Sequence, residues 1–111
     1  MKMSNAPFII RQFECGDSTV TAQWQTPTLE PAGEYKCRWQ INWPDRVRQS
    51  YSCGVDQVQA LLLAMRTVHT ELTESEFYKS GKLTYLEQYD LDLPPGFGMG
   101  PLYQPPKANG R

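Results

Sequence analysis

The sequence predicts an α+β fold: an antiparallel sheet of about four strands, one main amphipathic helix packed on one face, a short second helix and a Pro/Gly-rich C-terminal tail. Three observations predict it. Apolar and polar residues alternate in "CRWQINW" (37–43), the period of a half-buried strand. Apolar residues return at helical spacing from Val58 to Leu72. Turn residues, Gly16-Asp17 and Pro44-Asp45, punctuate the first half of the chain.

Taken in order, "PFIIRQFEC" and "STVTAQW" form a hairpin around Gly16-Asp17, with Val20, Ala22 and Trp24 on its inner face. Pro27 and Pro31 force a loop before the third strand. In that strand Cys37, Trp39, Ile41 and Trp43 share one face, and Arg38, Gln40 and Asn42 share the other. Pro44-Asp45 starts a turn, and "VRQSYSC" (47–53) is the fourth strand.

Two registers compete for this second hairpin. A two-residue loop pairs Ile41 with Arg48 and Trp39 with Ser50, which mixes the faces. A three-residue loop pairs Trp43 with Val47, Trp39 with Tyr51 and Cys37 with Cys53, which keeps them consistent. Face consistency favours the second, although it asks Arg46 to adopt a left-handed conformation.

The helix begins after Asp56, with Gln59 three residues on, a capping-box arrangement. An Asp at this place satisfies backbone donors at the positive helix end, and no second acid, base or metal ligand stands at motif spacing to make it catalytic. Val58, Leu61, Leu62, Met65, Val68 and Leu72 form the expected apolar stripe. Thr73 and Glu76 repeat the capping-box spacing, and Leu72 and Phe77 are placed as a hydrophobic staple. A short helix over 74–79, ended by Gly81, is the result. "KLTYL" (82–86) fits either a strand or an extended segment. Residues 1–93 are read as a single domain and residues 94–111 as its tail, half of them Pro or Gly.

A β-hairpin leading into "GVDQVQALLLAM", then "SEFYKSGKLTYL", then an acidic-apolar segment and Pro-Pro, resembles a small bacterial family known only as a domain of unknown function. The pieces that carry the resemblance are Gly54-Val55-Asp56, Gln59-Ala60-Leu61-Leu62, Ser80-Gly81 and Leu83-Thr84, within residues 35–95. It implies a compact bacterial domain and carries over no activity, cofactor or catalytic residue.

Composition narrows the function classes. Eleven Lys and Arg against twelve Asp and Glu give a net charge of −1, so nothing draws the whole molecule to nucleic acid or acidic lipid. The longest apolar run, 60–65, is far below the ~20 residues of a membrane span. The N-terminal apolar run stops at Arg11, unlike a signal peptide, and a cytoplasmic protein is expected. Cys15, Cys37 and Cys53 are an odd set without a CxxC, neither a disulfide framework nor, with His69 alone, a zinc motif. "PGFGMG" (95–100) lacks the Lys-Ser/Thr of a phosphate loop. No cofactor, metal ligand or catalytic residue is assigned.

Charge is locally polarised. Lys36, Arg38, Arg46 and Arg48 outnumber Asp45 within 36–48, whereas Glu71, Glu74, Glu76, Glu87, Asp90 and Asp92 outnumber Lys79 and Lys82 within 71–92. The bland reading is two solvated surfaces that face each other. The sharper one makes the outer sheet face, Arg38, Gln40, Asn42, Arg48 and Ser50, a partner-binding surface. The function expected is a non-enzymatic protein–protein interaction module, by analogy accessory or immunity-like, with another protein or a second copy as partner. The alternatives are a small enzyme with a pocket near Arg38, Arg48 and His69, and a single-strand nucleic-acid binder, which needs exposed aromatics.

Overall fold

The computed structural model describes residues 8–94. The elements are β1 (Ile9–Cys15), β2 (Ser18–Trp24), β3 (Thr28–Leu29), β4 (Tyr35–Asn42), β5 (Val47–Gly54), α1 (Gln57–Thr73), α2 (Glu76–Lys79) and β6 (Leu83–Thr84). All strand pairs are antiparallel, and β4 is the hub. β5 runs along one edge of β4 for its whole length, while β2 and the short β3 divide the other edge. β1 follows β2, and β6 closes the far side against β1. The four long strands and two helices are those the sequence predicts. β3 lies inside the expected 27–31 loop, and "KLTYL" yields the strand β6. Apart from Pro94, the expected tail lies outside the described residues.

The β4–β5 register corrects the sequence reading. Ile41 pairs with Arg48, Trp39 with Ser50 and Cys37 with Ser52. The Trp43 amide donates to the Arg46 carbonyl at 2.8 Å, so Pro44-Asp45 is a complete two-residue turn and Arg46 needs no left-handed backbone. Val47 and Tyr51 therefore point away from the helix and are exposed, and Cys53 faces the side opposite to Cys37. Arg48 and Ser50 lie on the helix side. Face consistency misled because this edge of the interior is polar. Arg48 makes two 3.2 Å hydrogen bonds to Glu71 of α1, and the Ser52 and Thr67 hydroxyls are 3.4 Å apart.

The core lies between the inner sheet face and α1. Phe13, Val20, Ala22, Trp24, Cys37, Trp39 and Ile41 meet Ala60, Ala64, Val68 and Leu72. The helix is turned relative to the predicted stripe: Val58 is 65% exposed and Leu62 49%. Three tryptophans, Trp24, Trp39 and Trp43, already fill the sheet side, so the helix seats on its alanines, and Leu61 and Met65 move to the flank. Gly54 permits that seating. A Cβ built there would stand 2.5 Å from the Ala60 backbone nitrogen.

Asp56 caps α1 as expected. Its carboxylate accepts from the Gln59 amide at 2.8 Å, and the Gln59 side chain accepts from the Val55 amide. Replacing Asp56 with Ala is expected to cost about 1 kcal/mol in urea unfolding, while Asp56→Asn changes little, since Asn caps as well as Asp. The second cap is not Thr73, which ends α1 and bonds back to the His69 carbonyl. It is Ser75, whose Oγ accepts from the Tyr78 amide. Phe77 of α2 stacks on Trp43 at 5.6 Å.

Residues 85–93 cover β1 from the helix side. Leu91 and Leu93 are buried, and Arg11 Nη1 donates to the Leu91 and Asp92 carbonyls at 3.0 and 2.7 Å. This segment opens with a tight turn in which Tyr85 and Gln88 exchange backbone hydrogen bonds around Leu86 and Glu87. Both central residues have left-handed φ, 52° and 65°, a conformation usually reserved for Asn or Gly. Glu14 holds them there. Its carboxylate accepts from the Glu87 amide (3.0 Å), the Leu86 amide (3.2 Å) and Thr84 Oγ1 (2.7 Å).

These bonds, the Glu87 amide foremost, lower the Glu14 pKa below its ordinary 4.5. A carboxylate whose folded pKa is depressed adds stability above its unfolded pKa and loses it as pH falls through the folded value. Acidification below about pH 4.5 should therefore lower the melting temperature of the native protein more steeply than that of Glu14→Gln. Equal slopes in the two proteins would remove Glu14 from the acid response.

Candidate functional site

The sheet face opposite α1 carries no covering element among the described residues. Strand alternation gives it mostly polar side chains, with Ile10, Val47 and Tyr51 exposed among them, and three adjacent strands align the amides. Gln23 of β2 pairs with Gln40 of β4, which pairs with Gln49 of β5. Gln49 Nε2 donates to Gln40 Oε1 at 2.8 Å, and Gln40 Nε2 donates to Asn42 Oδ1 at 2.7 Å. Each amide thus fixes the orientation of the next.

A depression of about 390 Å³ lies over this row, lined by Gln23, Gln25, Arg38, Gln40, Gln49 and Tyr51, with the Trp39–Ser50 pair in its floor. Arg38 is held at its rim by a hydrogen bond to Thr28 Oγ1 (3.2 Å) and by Glu30 at 3.9 Å. Tyr51, 53% exposed, has the Lys36 ammonium 4.2 Å from its ring centre. The lining therefore offers amide donors and acceptors, one guanidinium and one aromatic ring.

The structure divides the five residues expected to bind a partner. Arg38, Gln40 and Asn42 stand together on the outer face. Arg48 and Ser50 stand on the helix side, Arg48 tied to Glu71 and its guanidinium 5.6 Å from the Trp39 ring centre. This contact also joins the two oppositely charged segments at one point. Gln23, Gln25, Gln49 and Tyr51 were missed. Alternation about the buried Trp24 could have found the first two; Gln49 and Tyr51 needed the correct register.

A family model described as a domain of unknown function (DUF6968) matches residues 9–95. The chain belongs to this family. No curated protein and no solved structure matches it. The DUF6968 match spans every strand and both helices, so the amide row and the depression lie within the family domain.

Other chemistry-bearing groups of this DUF6968 domain stand apart. Arg38, Arg48 and His69 do not converge: they occupy the outer face, the helix side of β5 and α1. Burial lowers the His69 pKa, and Asp90 opposes the shift. The Cys37 thiol is pushed up to about 11 by burial and donates to the Gln25 carbonyl at 3.3 Å. Burial also raises Cys15 and Cys53. Among the described residues no three His, Cys, Asp or Glu group as metal ligands, and no helix is long and apolar enough to cross a membrane.

Proposed function

We propose that this domain is a protein-binding module and that the outer face, centred on Gln40 and Tyr51, is its contact surface. The observation that carries the reading is a face that no described element covers, with its hydrogen-bonded amide row beside an exposed tyrosine. A row of oriented amides recognises the backbone and polar side chains of another protein, and a tyrosine with its ring exposed is a common interface anchor. The lining offers hydrogen bonds and a ring contact in preference to a proton-transfer pair, which supports binding over catalysis. Free Cys15, Cys37 and Cys53 suit the reducing cytoplasm of a bacterium, where an accessory or immunity-like role fits a module of this size.

The test is capture from native lysate by immobilised protein, read by quantitative mass spectrometry. Tyr51→Ala and Gln40→Ala are expected to lose a specific captured protein at least tenfold, the effect of removing an interface anchor. Leu62→Ser, on the back of α1, should retain it. Equal capture by all four proteins would refute the outer face as the surface.

A second reading, single-stranded nucleic acid, draws on the position of Tyr51 beside Lys36 and Arg38, since such platforms stack bases on exposed aromatics. It ranks lower because Trp39 is buried at 3% exposure and Lys36 already stands against the Tyr51 ring. Salt-sensitive binding of a fluorescent oligothymidine, abolished in Tyr51→Ala, would raise it above the first.

A further inference from the structure

The two edges of the sheet are built differently. The far edge is β6, two residues long and followed at once by a tight turn, so little of it is open to another strand. The near edge is β5, eight residues without a proline, paired among the described residues with β4 alone. The Trp43-to-Arg46 hydrogen bond fixes which of its groups are free. Hydrogen-bonded and non-bonded pairs alternate along an antiparallel ladder. From Trp43–Arg46 outward, Arg48, Ser50, Ser52 and Gly54 direct their backbone groups to β4. Val47, Gln49, Tyr51 and Cys53 direct theirs outward, where among the described residues no strand receives them.

We propose that a second copy of this chain pairs antiparallel along this edge, β5 to β5, about a two-fold axis at Ser50. This register places Gln49 opposite Tyr51 of the second copy and Val47 opposite Cys53 of the second copy. All four outward-directed residues on each strand then bond. Moving the axis to Gln49 leaves Cys53 without a strand partner, moving it on to Arg48 also brings the two Arg48 side chains face to face, and moving it toward the C-terminus leaves Val47 without a strand partner. At Ser50 the only charged residue of the strand, Arg48, meets Ser52 of the second copy, and its own charge is already held by Glu71.

The helices fit the same axis. α1 lies over both β4 and β5. With strands about 4.8 Å apart, the two-fold sets the two helix axes roughly 10 Å apart, an ordinary packing distance. The Ser52–Thr67 contact marks the β5 side of α1, and Leu63 and Thr70 lie on that side one turn before and after it. Arg48 opposite Glu71 and Ser52 opposite Thr67 set the axis near residue 69 of the helix. Exposed Arg66 then comes within reach of exposed Glu74 of the second copy, and neither has an ion pair among the described residues. Pairing would also set Gln49 of each depression beside Tyr51 of the other copy, merging the two outer faces.

Sedimentation equilibrium of the full chain reads the pairing, with twice the 12.7 kDa chain mass expected at micromolar concentration. Gln49→Pro removes an outward amide and no β4 bond, so it should sediment as a folded monomer with an unchanged far-ultraviolet spectrum. A cross-link fixes the register independently. Val47→Cys under mild oxidation with diamide should give a covalent dimer, because opposed residues of a bonded pair stand at disulfide range. Adding Cys53→Ser should abolish it. A native protein that stays monomeric at a hundred micromolar overturns the pairing, as does a dimer that Val47→Cys cannot cross-link or whose cross-link survives Cys53→Ser. Capture by the Gln40→Ala variant reads the outer face separately, so the two can fail independently.

Discussion

Gly54→Ala is expected to destabilise the protein by about 2–3 kcal/mol, the upper range for overpacking a core. Gly54 is buried where the end of β5 passes beneath the first turn of α1, and its φ is not left-handed, so the cost is contact and not backbone conformation. The added Cβ would sit 2.5 Å from the Ala60 nitrogen and 3.0 Å from the Ala60 Cα, both backbone atoms that no rotamer can withdraw. The whole N-terminal turn must lift, loosening Ala60 and the Asp56 cap together. Urea unfolding measures the loss. Ala60→Gly in the same chain should not restore stability, because the clash is with the main chain. Full rescue by Ala60→Gly, or a loss below 0.5 kcal/mol, would place the contact elsewhere.

Trp24→Ala should be costlier still, about 3–5 kcal/mol, the usual toll for emptying a buried aromatic site. Trp24 is 1% exposed, the largest fully buried side chain, and lies between Ile9 and Trp39 across neighbouring strands. Its loss opens a cavity where β1, β2 and β4 meet, and only their joint collapse could fill it. Domains are stable by only about 5–15 kcal/mol, so much of the total would go, and thermal melting should drop accordingly. Trp24→Phe keeps most of the packing and should lose clearly less. Equal losses for the two would mean that volume is not what Trp24 contributes.

Much of the fold was legible because local chemistry and tertiary packing agree. Cys37, Trp39 and Ile41 are buried on one face as their alternation implies, and Asp56 caps the helix its spacing announces. Reading failed where packing overrode pattern. β5 is an edge strand whose inward residues, Arg48 and Ser52, meet Glu71 and Thr67, so hydrophobicity could not set its register. The stripe through Val58 and Leu62 misdirected because bulk on the sheet favours small residues on the helix. These errors hid half of the candidate site: pairing Trp39 with Tyr51 turns Tyr51 inward and leaves Arg48 and Ser50 on the outer face, where the structure has Gln49 and Tyr51. The Leu86-Glu87 turn had no local signal at all, since the carboxylate that steadies it lies more than seventy positions earlier.

That separation bears on how the chain is made. The first long strand gains its outer neighbour only from Leu83 and Thr84, and Arg11 finds its acceptors only at Leu91 and Asp92. At roughly 5–20 residues per second, a ribosome needs several seconds to bridge that interval. Throughout it, the Ile9–Cys15 segment offers nascent polypeptides an open edge flanked by Phe8, Ile9 and Ile10. Native closure of this edge must await residues 83–92, and a fragment that stops before residue 83 is expected to leave the edge unpaired and prone to association with other strands.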